Sequence, residues 1–455
     1  MQASDPKSRR AFLHLAGTAA AGAGVFPRLS LAAGLNGGHP LAPKPGHFKP
    51  RAKHLIMFFM TGGMSHVDTF DHKPRLNRDA GKSLAKKKII KASPFGFSQH
   101  GESGRMVSDL LPQIGSSIDE FCLIHSIFND SGGHSAATLG MHTGSITIPM
   151  PSIGSWISYG LGTFNTNLPP FVVFAAKEPY NAHQCWASNF LPGFHTGTRL
   201  IPGPTPLANL KSPIKSVRRS DLERLMLRDL NAQHAKLRPG DLQIQTRMTN
   251  IKTAHGLMQQ APAAFDLSRE TNATLAMYGA KRGDQRSFAA QCLTTRRLIE
   301  RGVRVVELFD VGSNSNWDSH GNILDHRRLT RTIDRPIAGL VKDLKQRGLL
   351  DDTLIVGCTE FGRTPWQDQN PKGRGHHAAV FTCFFAGGGT RRGFSYGASD
   401  DLGATVASNP VHIHDFHATI LHLMGLDHTQ LTYRYSGRDF RLTDIRGEVI
   451  KEVIG

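Results

Sequence analysis

Histidine and carboxylate side chains follow four apolar runs of this 455-residue chain, and together they are the donors that hold zinc, manganese or iron. His66 and Asp68 come just after a run at 54–60. Asp318 and His320 follow one at 303–309, and Glu360, Arg363, His376 and His377 follow one at 353–358. His134 stands in Asp130-Ser131-Gly132-Gly133-His134-Ser135, a glycine-rich approach to a helix N-terminus that suits an anion. Ions held among these groups would polarise a phosphoryl or sulfuryl oxygen and deprotonate a water. Each residue also has a plainer role open to it. Asp68 could cap the turn through Thr69, Phe70 and Asp71, and Asp318 could form an Asx-turn with Gly321. Glu360 could pair with Arg363, whose guanidinium could equally clamp a tetrahedral oxyanion. His376 and His377 are adjacent, so in extended chain only one of them faces a given site. His412, His414, His417 and His422 imitate a ligand row, but a helix there sets His414 and His417 beside Ile420 and Leu421, with His414 the best placed of the four.

Positioning these groups requires strands that end on one side of a sheet. Short continuous apolar runs at 54–60, 121–127, 170–175, 303–309, 353–358 and 380–386 read as buried strands, and helical patterns at 135–141, 152–159, 329–346 and 415–424 lie between them. This alternation predicts an α/β fold with a mostly parallel sheet covered on both faces, its ligand crevice beyond the carboxyl ends of the strands. Residues 216–300 are polar and helix-favouring, and predict an inserted helical hairpin or lid.

Fifty-four Lys and Arg against thirty-six Asp and Glu give a formal charge of +18, which steers anionic partners toward the chain. Its one dense run, at 82–91, has no interleaved aromatics and reads as a solvated face, so no nucleic-acid partner is expected. The five cysteines are widely spaced and indicate no disulfide. Arg9-Arg10, a weakly apolar stretch at 16–25 and Ser30-Leu31-Ala32-Ala33 have the order of a twin-arginine signal peptide, expected over 1–33. A Gly/Pro-rich linker is expected over 34–50 and the folded domain over 51–455, with no apolar run long enough to span a bilayer after the signal. The chain is thus expected in the periplasm or outside the cell. His-Glu-x-x-His and Gly-x-Ser-x-Gly are both absent, which argues against zincin proteases and α/β-hydrolases.

Gly348-Leu349-Leu350-Asp351-Asp352-Thr353-Leu354-Ile355-Val356 resembles the helix-turn-strand that leads to the metal loop of sulfatases. Val411 to Leu421 resembles a late sulfatase helix, and Leu139-Gly140-Met141-His142-Thr143-Gly144 the end of the helix that carries the sulfatase nucleophile. Four longer segments look like signatures of an exported domain-of-unknown-function family (DUF 1501) in the alkaline phosphatase/sulfatase superfamily. They are Gly62 to Asp71, Trp317 to Asn322, Thr359 to Pro365 and Tyr433 to Phe440. The resemblance implies an alkaline phosphatase-like three-layer sandwich and a metal-dependent hydrolase of phosphate or sulfate esters. It implies metal ligands among His66, Asp68, His134, Asp318, His320, Glu360, His376 and His377, with Arg363 on the oxyanion and Thr143 or water as nucleophile. At the positions where sulfatases carry Asp-Asp, the formylglycine cysteine and Asp-Asn or Asp-His, this chain has Thr61-Gly62, His134 and Glu360-Phe361. His134 cannot become an aldehyde, so formylglycine chemistry is excluded. The alternative is a non-catalytic relative that binds an anionic polysaccharide or a surface partner.

Overall fold

The computed structural model describes residues 39–85, 88–208 and 216–455, so the twin-arginine segment lies outside the described residues. At its centre is β1 (His54–Phe59), six residues all buried. Side chains alternate across a strand, so Ile56 and Phe58 enter one apolar core while Leu55, Met57 and Phe59 enter another on the opposite face. Each such side chain contributes about 1.5–3 kcal/mol by leaving water. A run that is apolar on both faces therefore dictates a layer on each side of the sheet.

The nine-stranded sheet comprises β1, β2 (Phe121–Phe128), β3 (Phe171–Phe174), β4 (Thr198–Leu200), β5 (Val305–Phe309), β6 (Thr353–Cys358), β9 (Phe381–Gly387), β10 (Phe394–Tyr396) and β11 (Val411–His412). Its order is β10-β2-β9-β6-β1-β5-β3-β4, with β11 also on β2. β1 pairs parallel with β5 and β6, and among these strands only β9 runs against its neighbours. This is the expected α/β sandwich with a mostly parallel sheet. Because β1, β2, β5 and β6 point the same way, the segments after Phe59, Phe128, Phe309 and Cys358 all emerge at one edge.

Helices α1 (His134–Thr143), α2 (Ile153–Leu161) and α7 (Ile413–Leu423) contribute to the core that holds Phe59, whereas α5 (Phe288–Ile299) and α6 (His326–Gln346) contribute to the other. In α6, Leu329, Ile333, Ile337, Leu340 and Leu344 recur at helical spacing and are all buried. α5 is likewise buried along most of its length. The polar insertion expected over 216–300 is thus shorter than its composition implied. Its long helices are α3 (Val217–Leu237) and α4 (Leu242–Phe265), and α5 belongs to the core layer. The Gly/Pro-rich stretch expected to be a linker is packed from His39 onward. Leu41 is buried, Lys44 N donates to Leu161 O at 3.0 Å and His47 N to Gly425 O at 2.9 Å. All five cysteines are buried and free. Among the described residues no helix is long and apolar enough to cross a membrane.

The segment after β6 does not run on as an open loop. β7 (Gly362–Gln367) and β8 (Arg374–His377) pair antiparallel, with Arg363 opposite His376 and Gly362 opposite His377. Alternation along β8 then sends the two adjacent histidines to different faces.

Candidate metal centre

Asp318 is the point on which the sheet-edge segments converge. Its Oδ2 lies 3.3 Å from His134 Nε2, and its Oδ1 lies 3.1 Å from His320 Nε2 and 3.2 Å from His376 Nε2. Ligand atoms of His134, Asp318 and His376 all fall within 4.8 Å of one another. In each imidazole the other ring nitrogen is already engaged. His134 Nδ1 meets Glu360 Oε1 at 2.8 Å, His320 Nδ1 meets Asp368 Oδ2, and His376 Nδ1 meets the Gly132 carbonyl at 2.7 Å. A carbonyl or an ionised carboxylate only accepts, so each Nδ1 carries a hydrogen; Nε2 then donates to Asp318 when the ring is protonated and presents a lone pair to a metal ion when it is neutral. His134 Nε2 is buried and makes no well-formed hydrogen bond. Imidazole nitrogens facing a carboxylate call for a positive charge between them, supplied by protons on the rings or by a metal ion, and this donor set fits a divalent ion such as zinc, manganese or iron.

The surroundings of the cluster are fixed. Arg363, fully buried, donates from Nη2 to Asp318 Oδ1 at 2.7 Å, from Nε to Gly63 O at 2.9 Å and from Nη1 to Arg374 O at 3.2 Å, and Nη2 also reaches Gly62 O. Glu360 accepts from Gly62 N at 2.8 Å as well as from His134. Gly62 and Gly63 have φ of +112° and +84°, a left-handed turn that brings the end of β1 under both groups. Trp317 N donates to Thr61 O at 3.0 Å, and Trp317 Nε1 reaches the partly buried Asp310 carboxylate, which locks the Asp318 segment onto the same turn. Tyr180 stacks on His134 with ring centroids 4.2 Å apart and Phe361 lies 4.9 Å away. Burial pushes the His134 pKa down, but Asp318 and Glu360 on its two nitrogens outweigh that and set it above the usual histidine value. Burial pushes the Asp318 carboxyl up, yet His134, His376 and Arg363 hold it well below the ordinary range.

The structure therefore gathers His134, Asp318, His320 and His376, with Glu360 and Arg363 behind them, and leaves out the other expected ligands. His66 Nε2 bonds the Gly403 carbonyl at 2.9 Å, and His377 Nε2 the Ala404 carbonyl at 2.8 Å. Their rings stack on each other and burial lowers both pKa values, that of His377 to about 4. Burial raises the Asp68 carboxyl, but Arg374, donating at 2.7 and 3.2 Å, more than offsets this and holds it below the usual range. Asp68 and Arg374 are a closed ion pair rather than part of the cluster. Thr143 lies at the opposite end of α1 from His134, and its hydroxyl donates to Leu139 O at 2.8 Å. Arg363 commits four of its five N–H donors to Asp318 and three carbonyls, which leaves a single Nη1 hydrogen rather than a two-point clamp for an oxyanion. Glu360 meets His134 Nδ1 and Gly62 N and makes no hydrogen bond to Asp318. His414 Nε2 and His417 Nε2 bond the carbonyls of Gly144 and Met141 at 2.7 and 2.8 Å, tying α7 to α1. Asp368, the Gly132 carbonyl and Tyr180 went unread in the sequence; only the polar turn Glu178-Pro179-Tyr180-Asn181 hinted at the last.

The fold and the cluster define an α/β protein with a mostly parallel sheet and a His/Asp group that could hold a metal. Over residues 52–454 the chain matches the model of a family described as "Protein of unknown function (DUF1501)", and it belongs to that family. No curated protein matches its sequence. Solved structures similar to it include a PsFucS1 sulfatase from Pseudoalteromonas sp., at 13% identity and TM-score 0.35, over 83% of this chain and 68% of that one. A phosphonate monoester hydrolase from Silicibacter pomeroyi is similar at 10% identity and TM-score 0.33, over 82% and 73%. Alkaline phosphatase from the Antarctic bacterium TAB5 is similar at 13% identity and TM-score 0.30, over 76% and 94%.

Proposed function

We propose that this chain is an exported, metal-dependent hydrolase of phosphate or sulfate esters. The observation that carries the reading is the convergence of His134, His320 and His376 on Asp318, each imidazole oriented through Nδ1 so that Nε2 faces inward. A divalent ion, when bound, supplies Lewis acidity toward an ester oxygen and toward water. The chain's own groups do the rest. Glu360, Asp368 and the Gly132 carbonyl fix the ring orientations, Arg363 holds Asp318 in place, and Tyr180 and Phe361 shield the faces of His134 from water. With Thr143 turned toward its own helix, water is the nucleophile in this reading. The net charge of +18 favours the approach of an anionic ester. The Arg9-Arg10 segment supports export through the twin-arginine pathway; replacing both with Lys should trap precursor in the cytoplasm, and unimpaired export would remove that part of the proposal.

One observation favours the rival reading of a non-catalytic protein that binds an anionic polysaccharide or a surface partner. Arg363 has four of its five N–H donors engaged and so cannot grip a substrate oxyanion with two. Elemental analysis of protein purified without chelator or histidine tag separates the two readings. The hydrolase reading expects about one zinc, manganese or iron per chain and turnover of aryl phosphate or aryl sulfate. His376→Ala should lower both, whereas His377→Ala should spare the metal. Metal-free protein, or His376→Ala with unchanged metal content, would remove the cluster as a catalytic centre.

A further inference from the structure

Tyr180 stands at the rim of the cluster with its hydroxyl proton uncommitted. The Asp318 amide donates to Asn316 Oδ1 at 3.1 Å, which fixes the Asn316 side chain so that Nδ2 is its donor, and that Nδ2 lies 3.2 Å from the Tyr180 hydroxyl oxygen. The phenol oxygen therefore accepts, and its own hydrogen meets no acceptor among the described residues. A half-buried hydroxyl aimed by a neighbour yet left with an unused donor is suited to a ligand.

Several independent contacts hold it there. The phenol ring lies nearly parallel to His134, the interplanar angle being 10°. Cys185 donates from Sγ to the Tyr180 carbonyl at 3.3 Å, and Asn181 Nδ2 reaches the carbonyl of Ser135 in the first turn of α1. The next two residues, Asn181 and Ala182, have φ of +64° and +47°. Two consecutive non-glycine residues in the left-handed region are strained and persist where surrounding contacts impose them. This turn carries Tyr180 back against the cluster. α1 itself begins there with no side chain capping its N-terminus.

We propose that the Tyr180 hydroxyl is a hydrogen-bond donor to an oxyanion bound at the His134/Asp318/His376 cluster, where Arg363, with four of its five donors engaged, cannot act as a two-point clamp. The ligand class is a phosphate or sulfate group. This rests on the cluster holding a metal ion, as read above. The donor is neutral, so it adds selectivity for an oxygen in a defined direction rather than bulk attraction for charge.

The test uses the full chain loaded with zinc or manganese and titrated calorimetrically with inorganic phosphate and, separately, sulfate. Tyr180→Phe keeps the ring stacked on His134 and removes only the donor. Metal content should be unchanged and oxyanion affinity should fall by about tenfold to a hundredfold, as for the loss of a hydrogen bond to a charged group. Equal affinity in wild type and Tyr180→Phe overturns the proposal and leaves the metal site standing. Loss of metal in Tyr180→Phe also overturns it, by showing that the tyrosine supports His134. A metal-loaded wild type that binds neither anion overturns the donor role alone, and a wild type that takes up no metal overturns the cluster reading and this one together.

Discussion

Glu360 and Asp68 are both fully buried carboxylates just past a central strand, yet their removal should do different things. Glu360 orients His134 through Nδ1, so Glu360→Gln, which presents an amide hydrogen or a weaker acceptor there, should lower metal affinity. The expected loss is about 10–100-fold, as for other partners behind a metal ligand, measured by competition with a chromophoric chelator. Asp68 instead neutralises Arg374. Asp68→Asn leaves a buried guanidinium uncompensated and should cost about 3–5 kcal/mol in denaturant unfolding, while the folded fraction binds metal as before. Unchanged metal affinity in Glu360→Gln, or unchanged stability in Asp68→Asn, would contradict these roles. Sequence alone could not tell the two apart. Both residues stand in polar segments after apolar runs, and the difference lies in what the neighbouring segment places opposite them: an imidazole in one case and an arginine from β8 in the other.

At the scale of elements, the turn after β1 is the joint on which the site is assembled. Gly62 offers its N–H to Glu360 and its carbonyl to Arg363, with φ of +112°. A Cβ there would meet the Asn316 side chain and Trp317 N at 2.7 Å. Gly62→Ala should therefore strain the turn by about 1–3 kcal/mol and push away the segment that carries Asp318. Metal affinity should drop together with the melting temperature, and a variant that keeps wild-type metal binding would show that the two segments are not coupled through this turn. The ribbon of β7 and β8 makes the same point. The sequence reading treats 359–377 as a polar loop in which either histidine could serve. Antiparallel pairing, with Arg363 opposite His376, decides that His376 joins Asp318 and that His377 turns toward Ala404.

For the molecule as a whole, buried neutral histidines set the response to acid. His54 is pushed down to about 4 by burial, with Nδ1 2.7 Å from Val303 O. His326 and His417 are each pushed to about 3, again chiefly by burial. His326 accepts from Ser65 N at 3.0 Å through Nε2, a bond that protonation would destroy. For a histidine whose folded pKa is depressed, the unfolded chain binds more protons below its own value of about 6.5, so stability falls as pH drops from there toward the folded value. For His54 the loss amounts to about 3 kcal/mol across that window. Denaturant midpoints measured between pH 7 and pH 4 should decline, and His54→Gln should flatten part of the decline. A flat profile in the wild type would show that these imidazoles do not remain neutral in the folded state.

Strand runs such as 54–60 and 353–358 are apolar at every position, and a strand buried on both faces has no other solution than a sheet between two layers. The sequence by itself therefore determined the α/β class, the shared edge where the segments after β1, β5 and β6 emerge, and the pool of histidines and carboxylates delivered there. Composition misjudged the helical region because the polarity of α3 and α4 was carried on into α5, whose apolar face becomes visible only against α6. Which members of the pool meet was decided by the tertiary structure. Spacing along the chain does not encode the direction of an imidazole; that depends on the acceptor at its second nitrogen, and Glu360, Asp368 and the Gly132 carbonyl reach His134, His320 and His376 only after four segments have folded onto one edge of the sheet.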